Sequence, residues 1–414
     1  MSAQANLLEI DGRRLWQTLM RSGEIGPGRA GGLCRLPLTD ADREMRDQFV
    51  AWCKDAGCSV SVDRLGNIFA RRAGADESAS PVLVGSHLDT QVAGGKYDGI
   101  LGVLAGLEVV RTLNDGGVET RRPIEVVCWT NEEGARFQPP MMCSGAFAGV
   151  HEVDWVLACR DDDGLVFGEE LARIGYDGDV PVGGRDVDAY FELHIEQGPE
   201  LEAENTPLGI VTSGYFTRGM VVDVTGENAH SGPTPMDKRR NALVGAAMMI
   251  VAANDIGWQR HPPGKSTSSR IKVWPNKPGI LPDYAQVTVD FRHPDESTTR
   301  AMEADMRAAI EDCCARANVS AEIVQTWEFG NEVFDESCIA LVRQAADELR
   351  VGYREMLSQA GHDAYHMTRI APTALLFSPC KDGISHNENE HIELEYTVPA
   401  VNVLLHAVLA RANR

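Results

Sequence analysis

Two acids stand side by side where a predicted buried strand ends. The segment TNEEGARF, which contains Glu132 and Glu133, follows the apolar run PIEVVCW. Because successive side chains of an extended backbone point to opposite sides, the two carboxylates are expected to do different work. Acids at strand ends are often there only because they reach water, so the pair gains meaning from the residues that accompany it.

Histidines and a further acid occupy comparable positions elsewhere. His87 and His194 end two other predicted strands, while Asp98 and His386 lie in loops. This set of side chains suits one or two borderline divalent ions such as Zn²⁺, and one carboxylate can bridge two ions ~3.5–4 Å apart. A single histidine is more often an ordinary polar residue, but the joint placement at strand ends favours a metal site.

The spacing around these residues predicts a division of roles. Asp98 follows the glycine-rich segment VAGGKYD, which can bend it back over the strand of His87, so Asp98 is the natural bridge. Asp89, on the same side of that strand, is expected to hold the imidazole ring. If Glu133 binds a metal, Glu132 lies nearby unbound and can accept a proton from a metal-held water with a pKa lowered toward ~7.

Composition narrows the class of protein. A chain of 414 residues with 43% hydrophobic content can form one large core and a smaller one. Its formal net charge of -22 argues against nucleic acid or an anionic membrane as a partner. The 10 cysteines include no C-x-x-C pair, the first residues lack a signal-peptide pattern, and no later run approaches membrane-spanning length. A cytoplasmic protein is the default expectation.

The elements that must position the acids and histidines alternate along the chain. Strands are predicted at 81–90, 123–133 and 189–198, with a helix at 99–115 between the first two. This alternation predicts an α/β sheet with helices on both faces. The catalytic residues are expected where its strands end.

The pattern changes near residue 213. Segments 220–228 and 285–293 alternate apolar and polar residues, which is typical of a sheet with one solvated face, and long helical segments accompany them. Helix and strand alternate as before after about residue 330. We therefore expect a larger domain formed by residues 1–212 and 330–414, interrupted by an inserted α+β domain at 213–329.

Several motifs together resemble one enzyme family. The sequence closely resembles the binuclear metal amidohydrolases of the hydantoinase/carbamoylase type: N-carbamoyl-L-amino acid hydrolases, allantoate amidohydrolases and β-ureidopropionases, within the wider aminoacylase and metallopeptidase superfamily. The motifs occur in order along the chain: GSHLDTQVAGGKYDGILGV (85–103), EEGARF (132–137), SGAFAG (144–149), HIEQGPELE (194–202), AHSGPTPMDKRRNAL (229–243), DFRH (290–293), AGHDA (360–364) and GISHNENE (383–390).

The resemblance implies a metallopeptidase-like catalytic domain, a mixed sheet with helices on both faces, whose inserted domain acts as lid and dimerisation domain. It implies a homodimer and two divalent ions per subunit, with Zn²⁺ expected and Mn²⁺, Co²⁺ or Ni²⁺ as alternatives. Glu132 matches the general base. The implied ligands of one metal are His87, Asp98 and His194, and those of the other are Asp98, Glu133 and His386.

Substrate-binding residues are implied by the same resemblance. His230 matches the residue that polarises the scissile carbonyl, and Arg292 the residue that binds the substrate carboxylate, for which a planar guanidinium is well shaped. Gln197, beside His194, is expected to help shape the pocket. The family usually has an asparagine thirteen residues before the arginine, but that position is Gly279 here, and Asn276 is the nearest asparagine.

The favoured function is hydrolysis of a C–N bond in an N-carbamoyl amino acid or related ureido acid. Another hydrolase of the superfamily, acting on an N-acyl amino acid, a dipeptide or an unusual amide, is the alternative that Gly279 leaves open. A non-catalytic metal-binding protein on the same fold is a third reading, which the intact ligand set and Glu132 disfavour. The segment GPGRAG (26–31) fits G-x-G-x-x-G but follows no strand and contains a proline, so no dinucleotide site is expected.

Overall fold

The computed structural model describes residues 8–330 and 332–414. Two units emerge from the contacts within the chain. The first contains the chain up to Thr212 with Val333–Met356 and Gly361–Arg414, and the second contains Ser213–Glu332 and Leu357–Ala360. The second unit therefore interrupts the first, and it is slightly larger than the 213–329 segment that the change of pattern indicated.

Helices and strands alternate through most of the described residues. The helices are α1 (Gly12–Ser22), α2 (Asp40–Asp55), α3 (Ile100–Asp115), α4 (Met142–Phe147), α5 (Val153–Ala158), α6 (Phe167–Ile174), α7 (Glu200–Ala203), α8 (Ala242–Gln259), α9 (Glu296–Ala317), α10 (Glu336–Leu349), α11 (Asp363–Met367) and α12 (Leu394–Ala412). The strands are β1 (Ser59–Val62), β2 (Ile68–Arg72), β3 (Val82–His87), β4 (Ile124–Trp129), β5 (Ala189–Ile195), β6 (Leu208–Gly214), β7 (Phe216–Thr225), β8 (Lys265–Trp274), β9 (Tyr284–His293), β10 (Ser320–Phe329), β11 (Tyr353–Ser358) and β12 (Thr373–Ser378).

The larger sheet has eight strands in the order β1-β2-β4-β3-β5-β12-β6-β11. Its central strands β4, β3, β5 and β12 run parallel to one another. Every residue of these four strands is buried, as expected when helices cover both faces of a parallel sheet. Because parallel strands end at the same edge, His87 at the end of β3 and His194 near the end of β5 meet there.

The smaller sheet belongs to the second unit and is antiparallel, in the order β10-β7-β9-β8. Strand β9 alternates between partly buried and buried residues, because one face packs on helices α8 and α9. Met220, Val287, Met249 and Met306 are among the buried side chains that β7, β9, α8 and α9 contribute to this core. The mixed α/β sheet that the sequence predicts is thus observed in the first unit, and the predicted α+β arrangement in the second.

Helix α8 corrects one expectation. By length and composition alone it is apolar enough to cross a membrane, whereas the sequence was expected to contain no such run. Its buried residues Ala246, Met249 and Ala253 pack in the core of the second unit. Core packing therefore explains the apolar residues on that face of the helix, whereas Val244, Val251 and Trp258 are exposed.

Candidate metal centre

One group of ligand atoms lies at the edge where the parallel strands end. Asp98 is in the loop that precedes α3, and its Oδ1 is 3.0 Å from Nε2 of His194 and 3.8 Å from Nε2 of His87. The three side chains are buried, and one ligand atom from each lies within 4.8 Å of the others. Two imidazole nitrogens and a carboxylate oxygen form a donor set that suits a borderline divalent ion.

A second group uses the other oxygen of Asp98. Nε2 of His386 lies 3.3 Å from Asp98 Oδ2 and 3.3 Å from Glu133 Oε2. The ligand atoms of this group also lie within 4.8 Å of one another. Asp98 therefore presents one oxygen to each group, which is the arrangement that a bridging carboxylate requires.

The two buried histidines are oriented by their Nδ1 atoms. Nδ1 of His87 lies 2.9 Å from the Asp89 carbonyl, and Nδ1 of His194 lies 2.9 Å from the Ile195 carbonyl. A carbonyl can only accept, so each Nδ1 carries the proton in the neutral ring and each Nε2 keeps its lone pair for a ligand. In agreement with this, Nε2 of His194 accepts a hydrogen bond from the Gly99 N–H at 3.0 Å.

Gly99 is required by the approach of the Asp98 loop to the strand end. Its φ is +67°, and a Cβ at this position would lie 2.2 Å from Nε2 of His87. Any other residue would combine an unfavourable backbone conformation with a clash against a ligand. The glycine-rich loop thus does bring Asp98 over β3, as the sequence pattern predicts.

Asp98 is held as a carboxylate by its neighbours. Burial alone would raise its pKa, but the adjacent imidazoles of His194 and His386, when protonated, outweigh burial and hold that pKa well below the usual range. Burial would also lower the pKa of the His386 imidazole, but the Glu133 and Asp98 carboxylates raise it. The centre is therefore strongly polarised, with a fixed negative charge between the two groups.

The adjacent acids Glu132 and Glu133 do point to different places. The Glu133 carboxylate faces His386 and also accepts a hydrogen bond from Gln91 Nε2 at 2.8 Å. Glu132 Oε2 instead lies 3.4 Å from His87 Nε2. Burial, followed by the charges of Asp363 and Glu133, raises the pKa of Glu132 well above its usual value, which makes this carboxylate a stronger base.

Asp89 holds the His87 ring through its main chain rather than through its side chain. Its carboxylate oxygen is 4.0 Å from Nδ1 of His87, and the ring is held by the Asp89 backbone carbonyl instead. The carboxylate accepts the backbone N–H groups of Glu132 and Glu133, both at 3.2 Å. Burial, followed by the charge of Asp42, raises the pKa of Asp89 to about 8. One residue therefore orients a histidine through its main chain and the two acids through its side chain.

This chain is similar to known proteins over most of its length. The sequence matches peptidase family M20/M25/M40 over residues 83–410. The chain belongs to this family. The match spans most of the chain, so the predicted family and fold class are confirmed.

Two similar relatives are amidohydrolases by name. An N-carbamoyl-L-amino-acid amidohydrolase of Rhizobium meliloti is 44% identical over 412 residues, which cover 100% of this chain and 99% of that protein. An N-carbamoyl-L-amino acid amidohydrolase of Geobacillus stearothermophilus is 36% identical, covering 96% of this chain and 98% of its own length. The crystal structure of an amidase of the hydantoinase/carbamoylase family from Burkholderia vietnamiensis has a TM-score of 0.96 and 48% identity, with 100% of each chain covered.

Other side chains of this M20-family chain lie near Asp98, and of these the sequence analysis named only Gln197. Gln197 donates from Nε2 to Asp98 Oδ2 at 2.8 Å, and Ser385 donates from Oγ to the same oxygen at 2.9 Å. Gln197 thus contacts the proposed bridge, while its predicted contact with substrate stays a prediction. Ser385 and Gln91 were missed, although each is adjacent to, or within a few residues of, a predicted site residue.

A buried polar layer beneath the centre was also missed. The His362 ring, from the AGHDA motif, contacts the His194 ring edge to face at a centroid distance of 4.5 Å. The Glu192 carboxylate accepts hydrogen bonds from Ser86 Oγ at 2.7 Å and from the Ala364 N–H at 2.9 Å. The AGHDA motif indicated that these residues matter, but the sequence does not show that they contact strand β5.

The predicted carbonyl-polarising histidine lies in the second unit. His230 is exposed in the loop after β7, and its Nδ1 accepts the Gly232 N–H at 3.1 Å. The neutral ring therefore carries its proton on Nε2, where it can be donated. The next residue, Ser231, donates its N–H to the carbonyl of Gly279 at 3.1 Å, so Gly279 and the His230 loop are neighbours.

The predicted carboxylate-binding arginine stands near the end of β9. Arg292 Nε lies 3.1 Å from Asp290 Oδ1, and Nη1 donates to the Gln359 carbonyl at 2.9 Å. Asn276 and Gly279 are exposed and have φ values of +46° and +89°. A Cβ at Gly279 would meet open space, but the backbone conformation disfavours any other residue there. The roles predicted for Arg292, Asn276 and Gly279 stay predictions.

Proposed function

We propose that this chain is a metal-dependent amidohydrolase that cleaves a C–N bond of an N-carbamoyl amino acid or related ureido acid. The observation that carries the proposal is the Asp98 carboxylate, which shares its two oxygens between two ligand groups with the basic Glu132 beside them. The names of the similar amidohydrolases support the substrate class. The family match supports hydrolysis assisted by metal.

The cofactor we propose is a pair of divalent ions, with Zn²⁺ first and Mn²⁺, Co²⁺ or Ni²⁺ as alternatives. Two nitrogens and one oxygen in one group, and one nitrogen and two oxygens in the other, suit ions of this borderline class. Such ions acidify water and polarise a carbonyl when bound. Elemental analysis of the purified protein tests both the number and the kind of ion.

The side chains then have distinct tasks in the proposed reaction. Glu132 Oε2 accepts a proton from the attacking water and passes it to the leaving nitrogen, which its raised pKa favours. His230 donates the proton on Nε2 in a hydrogen bond to the oxygen of the scissile carbonyl. Arg292 binds the substrate carboxylate through the guanidinium donors that Asp290 and Gln359 leave available, since this group has five.

The second unit also supports a homodimer, which we propose as the assembly. Along α8, Val244, Val251 and Trp258 are seven residues apart and are 42%, 59% and 68% exposed, so they form one apolar stripe. The neighbouring edge strand β8 exposes Ile271 and Trp274. An apolar stripe beside an edge strand is the kind of surface that a second copy can cover.

Light scattering with size-exclusion chromatography tests the dimer. Val251→Glu is expected to give monomers, whereas the control Val324→Glu changes an exposed valine on β10, at the opposite edge of the same sheet, and should leave the dimer intact. Equal dimer content in wild type, Val251→Glu and Val324→Glu would contradict the proposed surface. We further propose a cytoplasmic location, which the ten free cysteines support because reduced thiols persist there.

The decisive test of function is a substrate panel. Protein reconstituted with Zn²⁺, Mn²⁺, Co²⁺ or Ni²⁺ is mixed with N-carbamoyl amino acids, ureido acids and N-acyl amino acids, and products are identified by mass spectrometry. We expect N-carbamoyl or ureido acids to be cleaved fastest. Preferred cleavage of N-acyl amino acids or dipeptides would replace the proposed substrate class, and no turnover of any amide by the metal-loaded protein would contradict the proposal as a whole.

A further inference from the structure

The loop that carries His386 also carries two acids with a common type of contact. The loop is closed at its base by the Lys381 N–H, which donates to the His391 carbonyl at 2.8 Å. Glu388 and Glu390 follow His386 at alternate positions. Each of these glutamates accepts hydrogen bonds from backbone N–H groups of another glycine-rich loop of the same unit.

Glu388 is bound by the segment that resembled a dinucleotide motif. Its carboxylate accepts the N–H groups of Arg29 at 3.1 Å, Ala30 at 2.5 Å and Gly32 at 3.1 Å. Successive N–H groups that converge in this way form an anion-binding concavity, or nest. The nest in the 26–32 loop therefore has an occupant from the chain itself.

Glu390 is bound by the loop of the bridging aspartate. Its Oε1 accepts the N–H of Tyr97 at 2.9 Å and the N–H of Asp98 itself at 3.1 Å. The approach is close, since a Cβ at Gly95 would lie 2.0 Å from the carboxylate carbon of Glu390. The loop that carries His386 is thus hydrogen-bonded, through Glu390, to the backbone of the loop that carries Asp98.

The two glycine-rich loops are joined to each other as well. Leu33 and Gly94 exchange both backbone hydrogen bonds, each at 2.9 Å. The nest loop, the Asp98 loop and the His386 loop therefore form a closed ring of contacts. A movement of the His386 loop has to break the contacts of Glu388 or Glu390.

His386 needs such support more than the other histidines do. His87 and His194 belong to fully buried strands, whereas the His386 side chain is 50% exposed and its φ is +50°. A left-handed, exposed residue is not held by a sheet and has many alternative conformations in a loop. Its position has to be imposed by contacts that its neighbours make.

We propose that Glu388 is a positioning residue for the metal centre: it seats in the 26–32 nest and thereby holds His386 at Asp98 and Glu133. This inference rests on the ligand set of the proposed function. Glu388 does not contact the ligand atoms; it acts through the loop. Replacing Glu388 should lower the affinity of the Asp98–Glu133–His386 group for its ion. The affinity of the His87–Asp98–His194 group should not change.

The test measures the affinity of each of the two ions in the full-length protein. Zn²⁺ is competed with a chromophoric chelator in wild type, Glu388→Ala and Glu388→Gln, and Co²⁺-substituted samples are followed by visible absorption. Supporting partners of metal ligands are typically worth roughly 10–100-fold in affinity, so Glu388→Ala should weaken one ion by that factor and leave the other unchanged. Glu388→Gln keeps an oxygen acceptor for the N–H groups and should recover part of the loss.

Two further variants control for general damage. Asp335→Ala removes another carboxylate that accepts backbone N–H groups, those of Ser337 and Cys338 at the start of α10, and it should bind both ions as wild type does. Gly28→Ala does not change the Glu388 residue itself, but it adds a Cβ 2.5 Å from Glu388 Oε2. The flexible carboxylate must therefore move out of the nest. Gly28→Ala should reproduce the selective loss if Glu388→Ala fails to fold.

The outcomes separate this inference from the proposed function. If Glu388→Ala and Gly28→Ala bind both ions with wild-type affinity while His386→Ala loses one, the ligand set stands and the positioning role is wrong. Equal weakening of both ions by Glu388→Ala would also overturn the role, because it would show general damage. If His386→Ala keeps both ions at wild-type affinity, the ligand set itself is wrong and the inference falls with it.

Discussion

The two halves of the candidate metal centre share Asp98 but are built differently. His87 and His194 are fixed by fully buried, parallel strands and by carbonyls that accept from their Nδ1 atoms. Glu133 and His386 come from loops, and the His386 side chain is 50% exposed. The first half is therefore positioned by the same packing that forms the core, whereas the second half depends on polar contacts made by its neighbours.

This difference implies unequal resistance to perturbation. Removing the ion from the first half requires a path to buried ligands, while the second half presents a ligand to solvent. Loops also open at lower free energy than buried strands. The comparison therefore predicts that the ion of the His386 group exchanges first, and the following variants test it in order of expected effect.

Asp98→Ala is expected to have the largest effect, since it removes the carboxylate that both halves use. Both ions should be lost in elemental analysis, and activity should disappear with them. His386→Ala is the control, because it should lose about one ion per subunit and retain the ion of the buried half. An Asp98→Ala protein that still binds both ions would show that the two halves do not share Asp98 as a ligand.

Glu132→Gln should affect turnover without affecting either half. It removes the proton acceptor but not a ligand, so both ions should remain while kcat falls by ~10²–10⁴-fold, the typical contribution of a general base. The adjacent Glu133→Gln is the matched control, since it should lower the content of one ion. Near-normal kcat in metal-loaded Glu132→Gln would show that another group accepts the proton.

Much of the larger sheet was predictable because its strands are short apolar runs between turn residues. The predicted strand at 81–90 is observed as Val82–His87, and the helix at 99–115 as Ile100–Asp115. Strand β8, KSTSSRIKVW, was not predicted, since it is an exposed edge with a polar sequence and no clear alternation. Burial leaves a pattern in a sequence, and an exposed edge strand does not.

The site divides in the same way. The predicted ligands lie in motifs, so their types and spacing indicated the chemistry. The contact of Glu388 with the 26–32 loop joins residues more than 350 positions apart, and no local pattern encodes it. Asp89 illustrates a finer limit: a spacing of two residues identifies the side of the strand, but not whether the carboxylate or the carbonyl meets the ring.

Arg292→Ala should have the smallest effect, and it tests whether the two halves serve only the metals. Arg292 lies in the second unit, and its described hydrogen bonds go to Asp290 and Gln359 of the same unit. A charge-assisted hydrogen bond is worth ~1.5–3 kcal/mol, so KM for a substrate with a free carboxylate should rise roughly ten- to a hundred-fold at unchanged metal content.

The control separates substrate binding from the stability of the unit. Arg218→Ala removes an arginine that pairs with Glu303 and Glu328 in the same unit, and it should leave KM unchanged. An uncharged amide analogue should be equally cleaved by wild type and Arg292→Ala, because it never makes the carboxylate contact. If Arg292→Ala leaves KM and kcat unchanged for the best substrate, carboxylate recognition lies elsewhere. Because Gly279 replaces the usual asparagine, such a result would favour a substrate without an α-carboxylate. This protein would then share the proposed metal centre with its family but not the usual substrate.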